Sequence, residues 1–224
     1  MKRRQPALLS REPAEGVRLV ALDLLGEARA ASARLADPAD AEALHDFRVA
    51  VRRLRSWLRS FREQVDDTFR KRWRRELRAV ADSTGAARDA EVIRARVLAD
   101  REALSPGQRR AADWFLARES PEGQPAVEVR AQAVAAFERL SPHLESALSR
   151  YQRRVGQARR GRFGGAAAKA IFEQAAALSA ALAEVQGPAD AEPAHRARIQ
   201  GKRLRYLLEP IRPVVPAAEE AVQS

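Results

Sequence analysis

Residues 38–55 read Pro38-Ala39-Asp40-Ala41-Glu42-Ala43-Leu44-His45-Asp46-Phe47-Arg48-Val49-Ala50-Val51-Arg52-Arg53-Leu54-Arg55. The pattern returns 150 positions later, without a gap, as Pro188-Ala189-Asp190-Ala191-Glu192-Pro193-Ala194-His195-Arg196-Ala197-Arg198-Ile199-Gln200-Gly201-Lys202-Arg203-Leu204-Arg205. The match runs on through Leu58, Arg62 and Val65 opposite Leu208, Arg212 and Val215, with Phe61 opposite Ile211. Self-similarity at a fixed offset marks one structural unit used twice. On a helical wheel of about 100° per residue, Arg48, Arg52, Arg55, Arg59 and Arg62 gather beside His45, and Phe47, Leu54, Trp57, Leu58, Phe61 and Val65 gather opposite. The second copy sets His195, Arg198, Lys202, Arg205 and Arg212 against Leu204, Leu207, Leu208 and Ile211, with Glu209 standing where the first copy has Arg59. Arg53 and Arg203 share the other margin of the stripe. Each copy therefore predicts a helix with a basic and an apolar stripe back to back.

Outward from the repeat, apolar residues keep recurring at three and four positions, Ala, Leu, Arg and Glu dominate, and no stretch alternates as a strand would. The fold class is all-α. Breaks are expected at Asp37-Pro38, Ser83-Thr84-Gly85, Ser105-Pro106-Gly107, Ser120-Pro121-Glu122-Gly123, Ser141-Pro142, Gly161 to Gly165, Gly187-Pro188 and Pro213 to Pro216, leaving about eight helices. Pro38 and Pro188 suit first helical positions, where the missing N–H would have no partner anyway. The duplication predicts two helical bundles related by a pseudo-two-fold axis, within a domain from residue 14 to 224. Its first repeat spans about 14–160 and its second about 163–224, both contributing to a shared surface. Only 29 residues follow His195, so the second bundle is expected to be incomplete, finished by fewer helices or by another copy in a homo-oligomer.

The chain has 224 residues, with 41 Lys and Arg against 30 Asp and Glu, a net charge of +11 and 46% hydrophobic residues, which suits a folded basic domain rather than disorder. The absence of cysteine excludes disulfides, thiolate nucleophiles and Cys-ligated metals. No apolar run reaches the roughly 18 residues of a membrane span, and Met1-Lys2-Arg3-Arg4-Gln5-Pro6 lacks the apolar core of a signal peptide, so a cytoplasmic location with no membrane partner is the default. Only four of the basic residues are lysines (Lys2, Lys71, Lys169, Lys202), leaving 37 arginines. Codon bias could produce that ratio, but not its placement. Residues 45–78 carry +7, residues 150–162 carry +6 and residues 195–205 carry +5, so the rest of the chain is net −7.

Aligned arginines without interleaved acids repel one another and bring no folding benefit; their natural counterpart is a linear polyanion. A guanidinium fork grips phosphate oxygens in pairs where an ammonium is a point charge. The next segment extends the set, with Arg70, Lys71, Arg74 and Arg78 opposite Phe69, Trp73, Leu77 and Val80. Base reading favours Asn, Gln and stacking aromatics, and the stripe offers none, so nucleic acid is expected only as a weaker electrostatic competitor. His45 and His195 head their stripes at the same register and could donate hydrogen bonds to phosphate, whereas His143 reads as incidental. One His per helix with no ligand at i+4 gives a metal little to hold. A phosphohydrolase would need Asp82, Asp89 or Glu91 as metal ligand or base, although Asp89 could equally fix Arg88 or cap a helix. No catalytic residue, metal or cofactor is expected.

The pattern His-x-x-Arg-Val-x-x-Arg-Arg-x-Arg at 45–55, its weaker copy at 195–205, and Thr84-Gly85-Ala86-Ala87-Arg88-Asp89-Ala90-Glu91-Val92 resemble the CHAD family, named for conserved histidines in an α-helical domain. The likeness covers most of the chain from about residue 14. It implies two pseudo-symmetric helical bundles and a basic surface that binds inorganic polyphosphate and targets proteins to polyphosphate granules. Carried onto this sequence, the binding residues would be His45, Arg48, Arg52, Arg53, Arg55, Arg59, Lys71, Arg74, Arg78, Arg88, His195, Arg198, Lys202, Arg203 and Arg205. The acidic metal-binding tunnel of the triphosphatase domains to which some members are fused has no counterpart. The Leu-Gly-x-x-x-Asp helix that usually follows the second repeat is absent.

Overall fold

Alanine, leucine, arginine and glutamate are the residues whose side chains lose least on entering a helix, and the chain folds as that composition dictates. The computed structural model describes residues 8–37, 40, 42–118, 124–150 and 161–215, with the side chains of 86–92, 118, 124–127 and 129 outside the description. Its α-helices are α1 (Pro13–Arg34), α2 (Ala43–Ser60), the single turn α3 (Arg62–Val65), α4 (Lys71–Ser83), α5 (Gly85–Asp100), α6 (Pro106–Arg118), α7 (Gln124–Ser149), α8 (Phe163–Ala183) and α9 (Ala191–Leu208). Short 3-10 segments cover Arg101–Ala103 and Glu209–Val214, and no strand occurs among the described residues. The all-α expectation holds.

Several boundaries differ from the sequence reading. Helix α7 runs straight through Ser141-Pro142. Pro142 lies on its exposed side, so the carbonyl deprived of a partner can face water, while Leu140, Ser141 and Leu144 are buried around it and hold the helix together. The predicted start at Pro188 is not used, since α9 begins at Ala191, three residues beyond it; Pro38 lies outside the described residues, and α2 begins at Ala43. Asp190 instead accepts hydrogen bonds from the backbone N–H groups of Gln186 and Gly187, closing the turn that follows α8. The break at Gly161 to Gly165 narrows to Gly161, whose φ of 141° is open to glycine alone; Gly164 and Gly165 lie inside α8. The expected break at residues 120–123 lies outside the described residues.

Contacts divide the chain into two compact units. The first takes residues up to Leu25, Arg53–Arg70 and the chain from Glu145 onward. It therefore holds the second half of the first-copy helix α2 together with the whole of the second-copy helix α9. Its core is built on Trp57, whose ring lies 4.4 Å from Phe61 and 6.2 Å from Phe163 and whose Nε1 donates to the Val17 carbonyl at 2.9 Å. Arg18 is buried in the same unit, donating to Thr68 Oγ1 at 2.7 Å and the Ala147 carbonyl at 3.0 Å, and ion-paired with Asp67. Helices α8 and α9 pack together, with Gln174 donating to Gln200 Oε1 at 2.9 Å.

Close approach within this unit depends on Gly16. A Cβ there would stand 2.4 Å from Cγ of Phe163, itself fully buried and held near the backbone. Gly16→Ala is therefore expected to destabilise the protein by about 1–3 kcal/mol through overpacking, outweighing the gain of up to ~1 kcal/mol from removing a glycine inside a helix. The urea midpoint should fall; a midpoint that rises would mean Phe163 repacks freely.

The second unit takes Gly26–Arg52 and Lys71–Leu144. Phe47 and Phe137 meet edge to face at 5.2 Å, with Leu44, Val51, Leu77, Val80 and Leu140 buried around them. His143 stacks on Trp73, their rings 6.0 Å apart and 8° from parallel. No helix among the described residues is long and apolar enough to cross a membrane.

Candidate functional site

Helix α2 ends at Ser60, before Arg62, so the basic stripe is shorter than the sequence implied; Arg62 sits on α3 and pairs with Asp66 at 3.0 Å. Likewise α9 gives way at Glu209 to a 3-10 segment carrying Pro210 and Pro213, and Arg212 leaves the α9 face. Proline removes the N–H that the next helical turn would need, which ends the helix there.

In the first unit the two copies are brought to the same place. Arg59 of α2 is acted on by Arg203 of α9 and by its own helix neighbour Arg55. Burial and then these two guanidiniums push Arg59 below the usual arginine range, and among the described residues no carboxylate offsets them. The residue stays open to solvent, so its desolvation is partial and it remains a cation at neutral pH. Arg203 is half-buried, oriented by donation from Nη1 to Gln200 Oε1 at 3.1 Å. His195, Arg198 and Arg205 are exposed on α9, and Lys202 is half-buried.

At the 150-residue offset the cluster Arg55, Arg59 and Arg203 maps onto Arg205, Glu209 and Arg53. These three also meet. Arg53 Nε lies 2.7 Å from Glu209 Oε2, and Arg205 Nε lies 3.4 Å from Glu209 Oε1. The Arg53 contact is ionic rather than an aligned hydrogen bond, since neither of its two atoms finds hydrogen-bond geometry. Arg205 also lies 5.6 Å from the ring of the buried Tyr206. A second pair relates across the same offset: Arg34 bonds Asp46 in one copy, and Glu184 receives Arg196 in the other, with the signs exchanged. That hydrogen bond to Glu184 raises Arg196 above its usual range.

In the second unit the predicted residues fare differently. Arg48 is 7% exposed and turned inward, its Nη1 donating to the carbonyls of Thr84 at 2.7 Å and Gly85 at 3.0 Å. Leu44 and Val51, at i−4 and i+3, are both fully buried and draw that flank of α2 into the core. Arg48 is therefore a clamp on the turn between α4 and α5 rather than an outward cation. His45 is half-buried and Arg52 exposed. On α4, Lys71 and Arg78 are exposed and Arg74 half-buried, opposite the buried Trp73, Leu77 and Val80. Arg78 pairs with Asp82 at 3.2 Å. Arg88, Asp89 and Glu91 have side chains outside the description, as do residues 151–160 of the second basic block. Among the described residues no group of three or more His, Asp or Glu is placed to hold a metal ion.

Sequence reasoning placed Glu209 at the register of Arg59 but gave it no role at the site. Its signal was present, as the one acid standing at the register of Arg59 and four positions after Arg205.

Comparison with known proteins accords with the geometry. The sequence model of the CHAD domain matches residues 20–223. The crystal structure of the CHAD domain from the plant Ricinus communis is similar with a TM-score of 0.69 and 22% identity, over 96% of this chain and 74% of that chain. A comparison with curated proteins gives no match. The helical fold, the His/Arg pattern on α2 and α9 and a family match over nearly the whole sequence together make this chain a member of the CHAD domain family.

Proposed function

We propose that the protein binds inorganic polyphosphate without turning it over, through the cluster of Arg55, Arg59 and Arg203 in its first unit, and that this binding holds it at polyphosphate granules. The observation that carries the reading is the junction of Arg59 and Arg55 from one copy with Arg203 from the other, with no carboxylate of the described residues among the charges acting on Arg59. Like charges so arranged oppose folding, and a polyanion relieves them. A phosphate chain offers a repeating row of oxygens that guanidinium forks take in pairs. Exposed Arg198 and half-buried Lys202 extend the positive ground on α9, where His195 is exposed as well. Arg52 and the α4 residues Lys71, Arg74 and Arg78 add charge in the second unit. Asn is absent from the chain, and no exposed aromatic side chain is part of the arginine cluster, which favours phosphate over bases.

Calorimetric titration with long-chain polyphosphate tests this. Binding is expected at low salt, and log K should fall linearly with log salt, by about 0.7–0.9 per phosphate contact if counterion release from nucleic acid is the guide. Three engaged arginines then predict a slope near −2 to −3 from the first unit alone. A salt-independent affinity would contradict the reading.

A further inference from the structure

Glu209 departs from everything around it. The basic stripes on α2 and α9 carry no other acid between Arg48 and Arg59 or between Arg196 and Arg205, yet this one stands at the register of Arg59. It is not a mobile surface acid. Its side chain is 16% exposed, its backbone N–H closes the end of α9 on the Arg205 carbonyl, and Pro210 follows and fixes the chain direction. From that fixed place its two oxygens reach two cations, Oε2 to Arg53 of the first copy and Oε1 to Arg205 of the second. One carboxylate thus spans two guanidiniums, as a bridging phosphate would. The corresponding place in the other half of the arrangement holds a third guanidinium instead.

We propose that Glu209 is a built-in counter-anion: it occupies the Arg53–Arg205 half of the pseudo-symmetric surface, so that a phosphate chain is received at Arg55, Arg59 and Arg203 and kept from its mates. The inference rests on the polyphosphate reading above and adds direction to it. The two copies present unequal halves, one setting the Arg59 guanidinium where the other sets the Glu209 carboxylate, so the bound chain has a strong and a weak end. Glu209 acts on the ligand through Arg53 and Arg205 and is therefore a positioning residue.

Affinity and its salt dependence, followed by fluorescence anisotropy with end-labelled polyphosphate, separate this from a purely structural ion pair. Glu209→Gln keeps the shape and removes the charge. It should bind about tenfold more tightly at low salt, with a slope steeper by about 1–2 as Arg53 and Arg205 become available to phosphate. A structural pair would lower the unfolding midpoint and leave the slope unchanged. Two further variants decide the matter even if Glu209→Gln folds poorly: Arg203→Gln should weaken binding several-fold more than its register mate Arg53→Gln, which Glu209 already occupies. Equal losses for the two, or a Glu209→Gln slope equal to that of the native protein, overturn the counter-anion while leaving polyphosphate binding standing. If the native protein and every variant fail to bind, the functional reading falls and this inference with it.

Discussion

Arg59→Glu is expected to remove about 99% of the affinity for polyphosphate at low salt while leaving the fold intact. The substitution writes into the first copy the residue that the second already carries at that register. The new carboxylate would stand among Arg203 and Arg55 as Glu209 stands between Arg53 and Arg205. The cluster falls from three positive charges to one. Two charge-assisted contacts, at about 1.5–3 kcal/mol each, correspond to a hundredfold or more. Stability should hold or rise, because a repulsion becomes an attraction, so lost binding cannot be traced to unfolding. Thermal unfolding alongside the titration checks both parts. A variant that binds as tightly as the native protein would place the phosphate elsewhere.

Trp57→Ala has the largest expected effect on stability. The side chain is 1% exposed, meets Phe61 and Phe163, and donates from Nε1 to the Val17 carbonyl. Large aromatic deletions cost about 3–5 kcal/mol, against a total stability of about 5–15 kcal/mol for a domain. The first unit carries α9 together with Arg53, Arg55 and Arg59 of α2, so the urea midpoint and the polyphosphate affinity at 37 °C should fall together. An unchanged midpoint would mean that α1, α2 and α8 do not share the core described.

Much of this arrangement is legible in the repeat itself. Spacing alone sets Trp57, Leu58 and Phe61 inside and Arg52 and Arg59 outside, and the burial of these residues agrees. Less is legible where tertiary contacts override the wheel. Arg48 lies about a third of a turn from the apolar centre, on the side the wheel assigns to the basic stripe, and a pair of backbone carbonyls at Thr84 and Gly85 draws it in. A wheel knows nothing of a turn 36 residues away. Pro142 reads as a break because its cost depends on which side of the helix it faces, and it faces solvent. In the second copy Leu204 and Leu208 are only half-buried while their mates Leu54 and Leu58 are fully buried, although periodicity treats the two pairs alike. Glu209 is visible as an exception to the pattern, but its meaning depends on Arg53 arriving from the other copy, which only the fold supplies.

The central claim is that these arginines are arranged for a chain of phosphates and not for negative charge in general. Competition at fixed ionic strength tests it most directly: labelled polyphosphate bound to the native protein, challenged with duplex DNA or RNA at equal phosphate concentration. The account predicts that unlabelled polyphosphate displaces the probe well below the concentration at which either nucleic acid does. Displacement by DNA or RNA at the same phosphate concentration as polyphosphate would contradict it.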